Sequence, residues 1–371
     1  MSELPRNADG TYNLRPKSEG RGKEKLEAGF NINSTQQVLK YLNAIGIHPV
    51  DPKTGKPTTD KKVLRPLADN PVVYALLAYK RAEKRRSMIQ GILDKHVQED
   101  GRVHSRFSPL ATGTGRFSSS SPNAQQYPRE PFIRDIFTAG DGYELVVMDV
   151  KNMEMAVACC EPLADEVLMQ KALKEGVDLH TLTASLIFNV SLEEVAKDQR
   201  QVAKSCNFAL LYSSGAAGLK EYFASFGNSI TFDEAVAFRE AWLKAYPAMA
   251  RWHAWAKVEV QKEEVRMLDG RRRWLRGDMA RPTVLLNNIV QGTAASIVKQ
   301  TMVNVWPRLP EQARLIAQIH DELIVETPEG TGMEVLEMMK NQLFLAGREI
   351  LGDSVDMVGD GSVAKSWGQA K

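Results

Sequence analysis

The sequence is poor in the features that mark secreted, membrane-spanning and zinc-binding proteins. Its 371 residues include only three cysteines, Cys159, Cys160 and Cys206. Two of them are adjacent and none has the spacing of metal ligands, so we expect buried thiols in a reducing compartment. No apolar run approaches the roughly 20 residues that a membrane helix needs. The polar N-terminus also lacks the apolar stretch of a secretory signal. These absences favour a cytoplasmic protein with no membrane partner.

Charge is unevenly distributed along the chain, although the net charge is only +2. Residues 1–107 hold 20 Lys and Arg against 12 Asp and Glu, a net charge of +8, whereas the remainder holds 28 against 34, a net charge of −6. A basic third beside an acidic remainder is typical of a nucleic-acid clamp attached to a metal-binding core. Ordinary solvated surface charge is the alternative interpretation.

Two aspartates follow apolar stretches that read as strands. Residues 143–149 form a buried-strand pattern that ends in Asp149, and Asp321 occupies a polar turn between strands expected at 315–319 and 323–325. Carboxylates at such positions can hold two metal ions roughly 3.5–4 Å apart for nucleotidyl transfer. The alternative is an ordinary polar turn between strands. An ionised carboxylate at the end of an apolar strand is less common, because its desolvation is costly.

A capping box at Ser191-Leu-Glu-Glu194 predicts a helix that carries polar and aromatic side chains on one face. Every fourth position of this helix belongs to a single stripe, which consists of Arg200, Lys204, Phe208 and Tyr212. The two basic residues are suited to a triphosphate and the two aromatic residues to a sugar and a base. An ordinary amphipathic helix is the alternative.

Seven segments, in order from about Phe30 to the C-terminus, resemble family A DNA polymerases, the class of bacterial DNA polymerase I. The resemblance lies in the segments TGTGRFSSSSPNAQQYP, VVMDVKNMEMA, VDLHTLTA, RQVAKSCNFALLY, LDGRRRWL, NNIVQGTAASIVK and QIHDELIVE. One such segment would be weak, but seven in the family's order are specific. They imply template-directed addition of dNTPs to a primer 3′-OH.

The resemblance implies a catalytic centre with two metal ions. Asp149 and Asp321 match the aspartates that bind Mg²⁺, for which Mn²⁺ can substitute, and the backbone carbonyl of Val150 matches a further ligand. Lys204 matches the lysine that protonates the leaving pyrophosphate.

Further positions match residues that contact the substrates. Glu154 and Phe208 match the pair that closes the space needed by a ribose 2′-OH. The residues implied to contact the incoming dNTP are Glu154, His180, Arg200, Lys204, Phe208 and Tyr212. The residues implied to contact primer–template DNA are Arg116, Asn287, Gln291, His320 and Glu322.

The chain departs from the family pattern at several positions. Near Asp149, Lys151 stands where Ser is usual, Asn152 where Gln is usual and Ala156 where Arg is usual. After the helix stripe, Ser213 replaces a glycine that serves as a hinge. Such changes are typical of viral members, which suggests a phage protein acting in the cytoplasm of an infected bacterium.

The resemblance implies an α+β fold of the right-hand polymerase type, with an antiparallel palm sheet. The expected parts are a flexible or partner-binding lead-in at 1–29, a partial thumb at 30–107, palm at 108–164, fingers at 165–280 and palm again at 281–371. No carboxylate cluster for a 3′–5′ exonuclease is recognised. We therefore expect a separate polypeptide to supply an exonuclease or thumb.

Two other functions stay open at this point. A single-subunit RNA polymerase shares the hand fold, but Glu154 and the His-Asp-Glu turn at 320–322 favour a DNA polymerase. A non-catalytic DNA-binding remnant is the other alternative. The intact acidic and basic positions argue against it.

Overall fold

The computed structural model describes residues 30–52 and 54–370. The chain divides into two compact units, one ending at Met88 and one beginning at Ile89. The lead-in predicted at 1–29 lies outside the described residues. The finer boundaries within 30–371 stay predictions.

The first unit is built from helices α1, Thr35–Ala44, and α2, Lys61–Leu64, and from the start of α3, Pro71–Lys95. Helix α1 begins after Ser34, because the Ser34 hydroxyl accepts the N–H of Gln37 at 3.4 Å and so caps the helix. A small apolar core holds the unit together and consists of Val38, Leu42, Leu64, Val73 and Leu76.

The second unit alternates between strands and helices. Its first elements are β1 Arg106–Ser108, β2 Ser118–Ser120, α4 Pro131–Arg134, β3 Tyr143–Val150, α5 Met153–Cys159, α6 Val167–Lys174, α7 Leu179–Phe188 and α8 Lys197–Leu210. The elements that follow are α9 Ala216–Ser225, α10 Phe232–Ala245, α11 Pro247–Glu259, β4 Glu264–Arg266, β5 Arg272–Trp274, α12 Pro282–Val305, β6 Arg314–Ile319, β7 Glu322–Pro328, α13 Gly332–Leu351 and β8 Gly359–Ala364.

The main sheet of this unit has the strand order β6-β7-β3-β8, and every neighbouring pair is antiparallel. The apolar run Leu145–Met148 of β3 is buried, whereas Asp149 at its end is exposed. The strands predicted around Asp149 and Asp321 are confirmed. Helix α13 packs against β3 and β8, so one face of the sheet is covered.

Strand β2 pairs with β1 in a separate two-stranded sheet. One predicted element differs from the structure. The capping box of Ser191 and Glu194 closes only a 3₁₀ turn at Leu192–Glu194, and α8 begins later, at Lys197. The reason is local. Val195 and Ala196 are extended, and a new helix starts where Gln199 accepts the N–H of Ala196 at 2.9 Å.

One apolar core joins the sheet to the helices packed around it, and the cysteines lie within this core. Cys159, Cys160 and Cys206 are buried free thiols, as predicted. Burial raises the pKa of the Cys160 and Cys206 thiols to about 12. None of the described helices is both long enough and apolar enough to cross a membrane.

Candidate active site

The sheet brings the two candidate metal-binding aspartates together. Asp149 in β3 lies directly opposite Glu322 in β7. The backbone N–H of the next residue, Val150, donates to the carbonyl oxygen of Asp321 at 3.2 Å. His320, with a φ of +59°, takes the left-handed conformation that lets the β6–β7 turn close tightly. Asp149 and Asp321 therefore lie at the adjacent ends of two neighbouring strands, at one end of the sheet.

A glutamine from the loop before α4 holds this turn from the other side. The Gln125 side chain donates to the carbonyl of Gln318 at 2.7 Å and accepts the backbone N–H of His320 at 2.8 Å. Burial lowers the pKa of His320. No local pattern in the sequence indicates this contact, because the two partners are 195 positions apart.

Glu322 is a buried carboxylate at the start of β7, and its contact with DNA stays a prediction. Arg134 is 2% exposed and its Nη1 donates to both carboxylate oxygens of Glu322, at 3.0 and 3.1 Å. The Trp367 indole N–H also donates to Glu322, and its ring lies 4.0 Å from the Arg134 guanidinium. An ionised carboxylate this deeply buried requires such partners. Glu322 therefore anchors the turn that carries Asp321.

A cavity of about 410 Å³ lies beside Asp321 and Val150, the residue that follows Asp149. Six of the predicted site residues line it, namely Arg116, Val150, Glu154, Phe208, His320 and Asp321. Within it, Arg116 donates to the Glu154 carboxylate at 2.6 Å, and both side chains are partly exposed. The cavity therefore combines an acidic edge, an aromatic wall and an arginine. This combination can accept a sugar next to a phosphate chain.

Tyr212 lies beyond the predicted helix stripe. Helix α8 ends at Leu210, so Tyr212 sits in the following turn, and Ser213 takes a φ of +62°. Ser213 thus has a left-handed backbone conformation, which costs glycine less free energy than serine. The family that the sequence resembles usually has glycine at this position. The Tyr212 hydroxyl is buried without a hydrogen-bond partner among the described residues. Burial, assisted by the Glu154 carboxylate, raises the pKa of Tyr212.

Arg200 is held by a residue to which the sequence assigned no role. Asp178 caps the N-terminus of α7 by accepting the N–H of Thr181 at 2.7 Å. It also binds the Arg200 guanidinium through both carboxylate oxygens, at 3.1 and 2.8 Å. Burial would raise the pKa of Asp178, but the Arg200 and Thr181 hydrogen bonds outweigh it and hold the pKa at about 2.

His180 is buried next to this pair and is neutral at physiological pH. Burial lowers its pKa to about 4. The Asn207 amide lies 3.0 Å from His180 Nδ1, and an amide nitrogen can only donate, so the ring hydrogen must be on Nε2. The ring also contacts Phe208, at 5.7 Å between centroids. His180 can therefore offer one N–H donor beside Arg200.

The remaining predicted residues do not line the cavity. Lys204 is exposed on α8, one turn after Arg200, and Asn287 and Gln291 are half-buried on α12. Because it is exposed, Lys204 is accessible to a ligand on the outer face of α8. The roles of Lys204, Asn287 and Gln291 stay predictions.

The arginine-rich turn near residue 271 connects several parts of the site. Arg271, which follows the β4–β5 turn, donates to the carbonyls of Thr114 and Gly292 at 3.1 and 2.9 Å. Gly115 has a φ of +78°, and a side chain there would collide with the Arg271 guanidinium. The positive φ therefore favours glycine at this position, and a side chain would also displace the Arg271 guanidinium from its contacts.

The comparisons with known proteins agree with this geometry. The sequence model of DNA polymerase family A matches residues 15–369. The chain belongs to DNA polymerase family A. It is 36% identical over 330 residues to the thermostable DNA polymerase I of Thermus thermophilus, covering 84% of this chain and 39% of the relative. It is 33% identical over 310 residues to DNA polymerase I of Aquifex aeolicus, covering 82% of this chain and 52% of the relative.

A solved structure shows the same fold. The POL domain of Pol1 from M. smegmatis, in complex with DNA primer-template and dNTP, is matched with a TM-score of 0.81 and 28% identity. The match covers 93% of this chain and 62% of that chain. The predicted family and the predicted α+β polymerase fold are therefore confirmed. This member of family A spans only part of the length of these relatives.

Proposed function

We propose that this protein is a DNA-directed DNA polymerase that adds dNTPs to a primer 3′-OH as directed by a template. The observation that carries the proposal is the placement of Asp149 and Asp321 on adjacent strand ends, where Asp321 lines a cavity together with Arg116, Glu154 and Phe208. Membership of family A supports it. So does the structural likeness to a polymerase domain solved with primer-template and dNTP.

The donor set fits Mg²⁺. Among the described residues, no group of three or more His, Cys, Asp and Glu side chains is arranged to hold a metal. Mg²⁺ does not require such a group, because it is usually bound by one or two carboxylates together with water and substrate phosphates. Asp149, Asp321 and the Val150 carbonyl would provide hard oxygen ligands of this kind. We propose two such ions, for which Mn²⁺ can substitute.

In the proposed reaction the 3′-OH of the primer gives its proton to solvent and its oxygen attacks the dNTP α-phosphate, while the bond from that phosphorus to the bridging oxygen breaks and pyrophosphate leaves. The bound ions would supply charge stabilisation for the attacking and leaving oxygens. Asp149 and Asp321 would hold those ions at the end of the sheet. His180 donates a hydrogen bond to phosphate, and Arg200 neutralises phosphate charge. Lys204 gives a proton to the leaving pyrophosphate.

Choice of sugar is proposed to depend on Glu154 and Phe208. Both side chains line the cavity, and the Arg116 ion pair restrains the Glu154 carboxylate. A ribose 2′-OH would have to share the space between carboxylate and ring. The site would therefore favour deoxyribose.

The exposed basic residues of helix α3 support a contact between the first unit and DNA. Arg81, Lys84 and Arg86 are exposed on this helix. The Lys80 ammonium on the same helix instead donates to the backbone and hydroxyl oxygens of Thr59, both at 2.8 Å. A separate polypeptide that carries an exonuclease or thumb stays a prediction. A pull-down from the source cell would test it.

Primer extension by the purified chain tests the proposed function. Asp149→Asn and Asp321→Asn should each abolish dNTP incorporation while primer–template binding stays within about threefold, because phosphate contacts supply most of that affinity. Extension by either variant at the wild-type rate would overturn the assignment of the aspartates. Incorporation of rNTPs in preference to dNTPs would favour an RNA polymerase. Wild-type chain that binds DNA without extending it would indicate a non-catalytic remnant.

A further inference from the structure

A buried hydrogen-bond network joins helices α7, α8 and α10 next to Arg200. Asn207 of α8 lies at its centre and is fully buried. Its side chain contacts His180 and Thr183 of α7 and Trp242 of α10. Thr183 and Trp242 are also fully buried. Helix α10 packs against both α7 and α8, so the three helices enclose the Asn207 amide.

The Trp242 indole determines which way the Asn207 amide points. An indole N–H can only donate, and this one lies 2.7 Å from Asn207 Oδ1. The reverse orientation would place the amide nitrogen, which also carries hydrogens, against the indole N–H and leave buried donors unpaired, which is costly. Asn207 Oδ1 therefore faces Trp242. The amide nitrogen faces His180 Nδ1 and Thr183 Oγ1, at 3.0 Å from each.

Thr183 can accept one of the two amide hydrogens. Its own hydroxyl hydrogen has two acceptors within reach, the Leu179 carbonyl at 2.7 Å and Asn207 Oδ1 at 3.1 Å. In either case the Thr183 oxygen keeps lone pairs for the Asn207 amide and for the Tyr246 hydroxyl, which lies 2.7 Å away. The second amide hydrogen then points at His180 Nδ1. That nitrogen must accept it and cannot carry a hydrogen itself.

We infer that Trp242 and Asn207 are positioning residues that hold His180 in the tautomer with its hydrogen on Nε2. The inference rests on the proposed function, in which His180 donates a hydrogen bond to a dNTP phosphate. A neutral imidazole has one N–H, so a hydrogen on Nδ1 would leave Nε2 an acceptor only. Such a nitrogen would repel a phosphate oxygen instead of binding it.

The position of the His180 ring connects this network to the candidate site. The ring lies 5.7 Å from the Phe208 ring, measured between centroids, and Phe208 lines the cavity of about 410 Å³. Two residues before His180, Asp178 binds the Arg200 guanidinium. The donor set by Trp242 and Asn207 therefore lies among the residues expected to contact the incoming dNTP.

A purely structural role of Trp242 predicts a different outcome. Trp242→Phe should lower stability in either case, because it leaves Asn207 Oδ1 buried without the indole donor. Only the positioning role predicts that the amide then reverses, accepts a hydrogen from His180 Nδ1 and removes the donor from Nε2. Tyr246→Phe is the matched control. Tyr246 is equally buried, and its hydroxyl contacts Thr183 in the same network without touching the contact between Trp242 and Asn207.

The test combines nuclear magnetic resonance with dNTP binding. In protein labelled with ¹⁵N-histidine, the nitrogen chemical shifts distinguish the two neutral tautomers, and the signals lost in His180→Ala are those of His180. The wild type should carry the hydrogen on Nε2 at neutral pH. Trp242→Phe should move part of the population to the Nδ1 form. The apparent Kd for dNTP, measured with a dideoxy-terminated primer, should then rise by roughly threefold to tenfold, because it scales inversely with the competent fraction. Tyr246→Phe should change neither the tautomer nor the Kd.

The outcomes separate this inference from the proposed function. If His180→Ala does not weaken dNTP binding, the proposed phosphate contact of His180 fails. If His180→Ala weakens binding but the wild type carries the hydrogen on Nδ1, only the inference fails, and this measurement does not depend on the folding of any Trp242 variant. An unchanged tautomer in Trp242→Phe would likewise overturn it.

A double variant shows whether Trp242 acts through His180. In the His180→Ala background, Trp242→Phe should have no further effect on the Kd for dNTP, because the donor that it controls is already gone. An equal loss of affinity in both backgrounds would mean that Trp242 acts through helix packing and would overturn the inference.

Discussion

Asp178 binds the guanidinium of Arg200 through both carboxylate oxygens, at 3.1 and 2.8 Å. The arginine expected to bind the incoming triphosphate is thus already paired. A triphosphate must compete with Asp178 for the same N–H donors. Binding of dNTP therefore includes the cost of separating this pair.

Asp178→Asn should consequently strengthen dNTP binding. Asparagine caps helix N-termini as well as aspartate does, so the start of α7 and the position of His180 should be retained while the charge is removed. We expect the Kd for dNTP, measured with a dideoxy-terminated primer, to fall by about threefold to tenfold. Asp60→Asn, the same change at the N-cap of α2, is the control. Weaker dNTP binding by Asp178→Asn would show instead that Asp178 orients Arg200 for phosphate.

Sugar selection should depend on the residues that line the larger cavity. Glu154→Ala removes the carboxylate that Arg116 holds at 2.6 Å, so the ratio of kcat/KM for dNTP over rNTP should fall by about 10- to 100-fold. Phe208→Tyr should improve use of dideoxynucleotides, because the added hydroxyl can replace the missing 3′-OH contact. Phe226→Tyr, at an exposed phenylalanine, controls for the added hydroxyl. Unchanged ratios in both variants would place the sugar pocket elsewhere.

The sequence predicted those parts of the site that depend on short-range pattern. The apolar run before Asp149 and the polar turn at 320–321 identified both strand ends, since alternation and turn composition are local signals. The same reasoning failed at Tyr212, because a spacing of four residues continues in the sequence after the helix itself has ended at Leu210.

Contacts between distant positions could not be predicted in this way. Glu322 and Arg134 are 188 positions apart, and no local pattern in a single sequence indicates that they meet. The family resemblance implies a DNA contact for Glu322, and that role stays a prediction. Only the fold shows that Arg134 binds its carboxylate. Asp178 and Arg200, at a separation of 22 positions, pair because α7 packs against α8.

Stability should fall on mild acidification because two histidines are buried in the neutral form. Burial is the main reason that the pKa values of His180 and His253 are both lowered to about 4. The His253 ring stacks on Trp242, with 6.0 Å between the ring centroids. In the unfolded chain, histidine titrates near a pKa of about 6.5. Between pH 6.5 and 4 the unfolded state therefore binds protons that the folded state does not.

The sign of the pH effect follows from this difference. The contribution of both histidines is fully present above about pH 6.5 and is lost as the pH falls towards about 4. His253→Phe keeps the stacking on Trp242 and removes one titrating group, so the unfolding midpoint should drop less between pH 7 and pH 5 than in the wild type. His48→Gln, at an exposed histidine, should leave the drop unchanged. An identical drop in wild type and His253→Phe would contradict the prediction.

The contact between Trp367 and Glu322 links the C-terminal segment to the β6–β7 turn that carries Asp321. Trp367→Phe tests what this contact contributes to the stability of the protein. Phenylalanine retains a ring over Arg134 but loses the indole N–H that Glu322 accepts. A hydrogen bond to a buried charged group contributes about 1.5–3 kcal/mol, so the thermal unfolding midpoint should fall by about 3–8 °C. Trp306→Phe is the matched control, because Trp306 is 66% exposed. Its unfolding midpoint should stay near that of the wild type.

Arg134→Met should destabilise the protein more than Trp367→Phe does, because it leaves the Glu322 carboxylate buried without a counter-charge. Removing one partner of a buried ion pair costs about 3–5 kcal/mol. Adding Glu322→Gln to Arg134→Met should recover part of that loss, since the neutral amide can still accept the Trp367 N–H. A double variant no more stable than Arg134→Met would mean that Arg134 acts through its packing on Trp367 and not through the charge of Glu322.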